Sequence, residues 1–130
     1  MSEDKPQIQY EDFAKLDIRL GKVIAAEMVP DADKLIKCTI DFGLKPSAAA
    51  DGAALNGTSG EREIRTIVSG IAEWKKPEEL VGKTLPYVFN LAPKMLRGVE
   101  SQGMLLAASD EQGVALLMPE RDIAPGTKLK

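Results

Sequence analysis

The chain has 130 residues, 44% of them hydrophobic, which suits one domain with a modest core, near the size where oligomerisation often adds stability. A net charge of −3 and a pI near 5.1 exclude a protein that coats nucleic acid by bulk charge, so any polyanion contact must rest on a local patch. The absence of histidine removes the commonest general base and metal ligand, and the lone Cys38 excludes an internal disulfide.

Residues 1–9 are polar and contain Pro6, which predicts a flexible N-terminus. No apolar run follows the start, so neither a signal peptide nor a membrane span is expected, and the protein is placed in the cytoplasm. A short helix is predicted over Tyr10 to Leu16, offering Phe13 and Leu16 to the core. Ile18 to Met28 alternates imperfectly, and Gly21-Lys22 interrupts it as a bulge or sharp coil would. After the turn Pro30-Asp31-Ala32-Asp33, the clearest strand has Ile36, Cys38, Ile40 and Phe42 on one face. Cys38 is thus expected as a buried structural thiol. Gly43 to Gly60 is small, polar and aperiodic, the pattern of a mobile loop insertion.

Arg62 to Ser69 returns as a β-branched strand, followed by Trp74-Lys75-Lys76 and a one- or two-turn helix from Pro77 to Gly82. Trp74 is read either as packing or as a stacking platform for a base. Thr84 to Asn90 is a strand with Leu85, Tyr87 and Phe89 on one face, and Pro86 suggests that it lies at an edge. Met104 to Ala108 and Val114 to Met118 supply two more short strands around an Asp110-to-Gly113 turn, and the tail from Asp122 to Thr127 is turn-rich. Short strands, one helix between the third and fourth, and a strongly curved first strand fit a small β barrel, with the OB type among the options.

The segment Asn90 to Leu106, NLAPKMLRGVESQGMLL, carries the functional signal. From Leu80 to Val99 the cations Lys83, Lys94 and Arg97 occur with no Asp or Glu, in an otherwise acidic chain. Lys94 and Arg97 stand on a glycine-bearing loop, an arrangement that can position a nucleic-acid backbone without reading bases. The carboxylate pairs Asp31/Asp33 and Glu78/Glu79 lie beside proline, where they serve turns and helix starts. With no Walker loop, Rossmann glycine pattern or nucleophile elbow, nothing points to catalysis, a metal or a cofactor.

Asn90-Leu91-Ala92-Pro93-Lys94, Arg97-Gly98-Val99 and Ser101-Gln102-Gly103-Met104 resemble the signature of the tRNA-binding domain family. That family includes the C-terminal domain of many methionyl-tRNA synthetases and free-standing structure-specific tRNA-binding proteins. Asp12 to Gly21, Pro30 to Leu35 and Thr66 to Ile71 agree with it in order, so the resemblance runs from about Tyr10 to the C-terminus. It implies an all-β fold, a five-stranded Greek-key barrel of the OB type over residues 10–130, with N- and C-terminal extensions and 43–60 as an insertion. It also implies a non-catalytic tRNA-binding module, typically a homodimer, that serves a synthetase catalytic subunit as β subunit or appendage. The Met1-Ser2 start suits a separate polypeptide.

Carried over by motif, Asn90, Lys94, Arg97, Ser101, Gln102 and Met104 line the tRNA-facing edge, with Arg19, Lys34 and Arg65 as weaker candidates. Lys94 and Arg97 would meet phosphates, Ser101 and Gln102 sugar or backbone groups, and Met104 an unstacked base. Met104 equally suits the core, and Asn90 a turn cap. Many members have lysine where this chain has Ala92, and a basic residue where it has Val29, which implies weaker phosphate affinity. The alternative within the same superfamily is an export-related, chaperone-like dimer that binds unfolded peptides.

Overall fold

A computed structural model describes residues 5–46 and 58–130. The elements in order are α1 (Tyr10–Ala14), β1 (Ile18–Val29), β2 (Ala32–Pro46), β3 (Thr58–Ser69), α2 (Pro77–Leu80), β4 (Thr84–Val88), β5 (Lys94–Leu96), β6 (Val99–Ser101), β7 (Met104–Leu105), β8 (Ala107–Asp110) and β9 (Gly113–Leu116).

β1 governs the architecture because it changes partners along its length. Ile18 to Lys22 pair antiparallel with β4, and Lys22 to Val29 with β2. At the exchange the backbone passes close over the core, which Gly21 permits: a Cβ there would lie 2.4 Å from Ile40 Cγ2 and 2.7 Å from Phe42 Cε1. The strand is not interrupted at Gly21-Lys22, which pair in register with Leu85 and Thr84; the irregularity lies just beyond, a register shift between Val23 and Ala25.

The resulting sheet has the order β3-β2-β1-β4-β7, in which the fourth strand returns beside the first, as in a Greek key. It curls until β3 meets the segment that leads into β7, where the Gln102 N–H donates to the Thr66 carbonyl at 2.8 Å. The fold is thus the all-β barrel expected. Ile36, Cys38, Ile40 and Phe42 all point into it, together with Val23, Ile67, Leu85, Tyr87 and Phe89. Tyr87 and Phe89 meet Phe42 edge-on at centroid distances of 5.6 and 5.0 Å. Leu80 of α2 is 1% exposed and joins this cluster.

Several expectations are corrected. Phe13 and Leu16 are not core residues: they are 36% and 48% exposed, because α1 stands beside the barrel with its apolar side chains uncovered. Nor is β4 an edge strand, since it lies between β1 and β7. Pro86 is tolerated because it sits opposite Leu20, whose backbone bonds go instead to Gly126 and Thr127, while the Pro86 carbonyl accepts from Leu106. The predicted strand Met104 to Ala108 is split into β7 and β8 at Leu106, and β8 turns away to pair with β9.

β2 reaches Pro46 and β3 begins at Thr58, so strand pairing extends into both ends of the predicted 43–60 insertion; positions 47–57 lie outside the described residues, as do positions 1–4 of the terminus. The turn-rich tail finds a place along β1. Gly126 donates to Leu20, Leu20 to Thr127 and Leu129 to Ile18, at 2.7, 2.9 and 2.8 Å. Among the described residues no helix is long and apolar enough to cross a membrane.

Candidate nucleic-acid interface

Between Phe89 and Gly103 the chain leaves the barrel wall and returns to it. The sequence reads this stretch as a loop, but it contains a hairpin in which Lys94, Met95 and Leu96 pair with Ser101, Glu100 and Val99. Arg97 and Gly98 form its two-residue turn, with φ of +51° and +82°. Positive φ at both positions matches the right-handed twist of hairpin arms. Arg-Gly is not the Asn-Gly or Asp-Gly pair that marks such a turn, and the arms have three residues each, so periodicity had nothing to register.

Leu96 and Val99 face inward onto Val29, Ala32 and Val68, which seats the hairpin beside the β1–β2 turn. Met95 stands on the other face, 62% exposed, opposite Glu100. Lys94 and Arg97 are exposed, and among the described residues neither has a carboxylate within ion-pairing distance. Lys34, also exposed, precedes Leu35, which packs against the same Val29–Ala32–Val68 cluster. Asp31 and Asp33 are exposed at that end too, so the edge is mixed in charge and its cations project from the hairpin.

The base of the hairpin is held by other expected site residues. Arg65 Nη1 donates to the carbonyls of Phe89 and Gln102 at 2.5 and 3.3 Å, and Arg65 Nε to Glu63 at 2.9 Å. The Arg65 and Arg19 guanidinium carbons lie 3.5 and 3.8 Å from the centroid of Phe89. Two guanidiniums that close cannot share one face, so the ring is sandwiched between cations. Arg19 binds Asp17 through Nε and Nη2 at 3.0 and 2.8 Å, and that hydrogen bond holds the Asp17 carboxyl below its usual range, burial working the other way.

Asn90 uses both ends of its amide internally. Its Oδ1 accepts the Asp17 N–H at 2.9 Å and its Nδ2 donates to the Lys15 carbonyl at 2.8 Å. Ser101 is buried, accepts the Val68 N–H at 2.9 Å and donates to the Gly103 carbonyl at 3.3 Å. The Gln102 Oε1 accepts the Thr66 N–H at 2.9 Å. Met104, whose core role was left open, is 46% exposed on β7. Trp74, left open between packing and stacking, lies with its ring against the backbone of Gly113 while 46% exposed.

The nine candidates therefore divide. Lys34, Lys94, Arg97 and Met104 present themselves to solvent, whereas Asn90, Ser101, Gln102, Arg19 and Arg65 bond the protein's own backbone or acids. The roles of Phe89 as a cation platform and of Met95 as an exposed apolar neighbour of Arg97 had no sequence signal beyond proximity to the motif.

A family model described as "Putative tRNA binding domain" matches residues 55–128, more than half of the chain. The chain belongs to the tRNA-binding domain family. The domain is 46% identical over 123 residues to the methionine–tRNA ligase of Pyrococcus horikoshii, covering 95% of this chain but 14% of that enzyme. It thus spans about one-seventh of the curated relative's length, and the family describes a binding module rather than a catalytic one. Among solved structures it resembles a MetRS-related protein from the same organism, at 36% identity and a TM-score of 0.77, covering 97% of this chain and 100% of that one. It also resembles the chaperone CsaA of Bacillus anthracis str. Ames, at 28% identity and a TM-score of 0.73, covering 96% of this chain and 100% of that one.

Proposed function

We propose that the domain recognises the shape and backbone of tRNA through the hairpin from Lys94 to Ser101, in support of a methionyl-tRNA synthetase, as its β subunit or C-terminal domain or as a free-standing protein. The observation that carries this reading is Arg97, a cation at a left-handed position where glycine or asparagine costs less, turned to solvent and, among the described residues, without an acid within ion-pairing distance. Lys94 on the adjoining arm adds a second phosphate-binding charge, and Met95 and Met104 offer apolar surface to an unstacked base. Neutralising two phosphates makes binding steeply salt-dependent, with about 0.7 to 0.9 in the log–log slope per contact. Titration into folded tRNA and into a duplex of equal length, at several salt concentrations, tests it. Selective binding with a slope that falls by about 1.5 in the Lys94→Ala/Arg97→Ala variant supports the reading; absence of binding by the wild type rejects it.

The same reading includes a cytoplasmic homodimer. Ile8, Tyr10 and Leu16 on the N-terminal side and Leu117 and Met118 near the C-terminus are 47% to 77% exposed, apolar surface that a second copy would cover. Sedimentation across concentration checks the oligomeric state.

The likeness to CsaA favours a second reading, a chaperone-like dimer that captures unfolded peptide. A cleft lined by Ile71, Met104, Leu105 and Val114 suits apolar side chains. Peptide capture should survive Lys94→Ala/Arg97→Ala, whereas tRNA binding should not.

A further inference from the structure

The Arg65 guanidinium reaches two backbone carbonyls far apart in sequence, and their positions are informative. Phe89 is the last wall residue before the chain departs toward the hairpin, and Gln102 is where it rejoins β3 through Thr66. One side chain therefore spans the neck of the whole 90–101 excursion, whose returning side Ser101 and Gln102 also tie to β3. Its orientation is fixed by Glu63 at Nε and by the Phe89 ring beneath it, which Arg19 braces in turn. A planar donor array is required here: the ammonium of lysine would keep the charge without the stacked, forked geometry.

We propose that Arg65 is a positioning residue for tRNA binding, a staple that holds Lys94 and Arg97 in a fixed frame instead of touching RNA itself. A phosphate ligand would have to compete with Glu63 and two carbonyls for the Nε and Nη1 donors. The Phe89 ring and Arg19 complete the staple. This rests on the tRNA reading above, but one part of its test does not need RNA.

The variant is Arg65→Lys, compared with Lys94→Ala and with wild type. The first measurement is amide hydrogen exchange. Exchange at Leu96 and Val99, the hydrogen-bonded pair beside the turn, is expected to accelerate about tenfold in Arg65→Lys, while the β1–β2 ladder stays protected, because local opening is governed by the neck and not by the core. The second is tRNA affinity against salt. Arg65→Lys is expected to weaken binding about tenfold with an unchanged slope, whereas Lys94→Ala lowers the slope by about 0.7 to 0.9. If Arg65→Lys retains wild-type exchange and affinity, or if Arg65→Gln lowers the slope as Lys94→Ala does, Arg65 is a phosphate contact or a bystander and the staple is wrong. Should β1–β2 protection collapse as well, the arginine supports the barrel generally and the proposal is again overturned. Should the wild type fail to bind tRNA while hairpin exchange still responds to Arg65→Lys, the tRNA reading fails and the staple stands as a feature of the fold.

Discussion

Ser101 and Val68 join the two lips of the barrel: the buried hydroxyl of one accepts the backbone N–H of the other at 2.9 Å. A motif serine at the end of the hairpin's second arm is thus engaged in closing β3 against the segment entering β7. Replacing it with alanine leaves a donor without an acceptor in a site that water does not reach, a loss of about 1 to 3 kcal/mol. Urea denaturation of Ser101→Ala should report that decrease, and the salt slope for tRNA should be the same as in wild type. An unchanged urea midpoint with a reduced slope would return Ser101 to the RNA surface.

Arg97 should separate stability from binding. Its φ of +51° disfavours any residue with a Cβ, and glycine removes that penalty at some cost in chain entropy. Arg97→Gly is expected to raise unfolding stability by about 0.5 kcal/mol while lowering the salt slope for tRNA by about 0.7 to 0.9. Opposite signs in the two assays are the signature of a side chain kept for its charge.

Asp17 gives the domain an acid-sensitive joint. Because Arg19 depresses its folded-state pKa below the ordinary carboxylate value of 3.8, the pair contributes stability above that value, and the contribution is lost as pH falls through the lower folded-state value. Urea midpoints followed from pH 7 downward should therefore show wild type and Asp17→Asn well separated near neutrality and converging in acid. A constant separation would mean that the carboxylate charge is not what holds Arg19.

Cys38 should be silent in the native state. Burial pushes its thiol up to about 11, so almost no thiolate exists at pH 8 and the side chain is 4% exposed. A thiol reagent at pH 8 is expected to leave the folded protein unlabelled and to react fully in denaturant. Rapid labelling of folded protein would show that the β1–β2 ladder opens readily.

The parts of the molecule legible in the sequence are those with a strong period or a stereochemical demand. Ile36 to Phe42 alternate and are buried in alternation; Gly21 is found where the strand passes too close to Ile40 and Phe42 for a Cβ, though the strand runs on through it. What escaped was decided by partners distant along the chain. Phe13 and Leu16 have the spacing of a buried helix face, but spacing does not say whether a surface awaits them. Pro86 obeys the rule against central strands locally, since its bonding positions face Leu106, yet the strand as a whole is interior. The site behaved likewise. Lys94 and Arg97 were readable as charges in an acid-free run, whereas the internal commitments of Asn90, Gln102 and Arg65 depend on Asp17, Thr66 and Phe89, with Asp17 lying 73 positions from Asn90.

The tail that runs along β1 places the Leu129 amide on the Ile18 carbonyl, with Arg19 bridged to Lys128. The chain's entry into the barrel and its exit are consequently neighbours. With β1 and the tail side by side at Ile18 and Leu129, a larger protein could carry the barrel at a terminus or between two of its own segments without rearranging it.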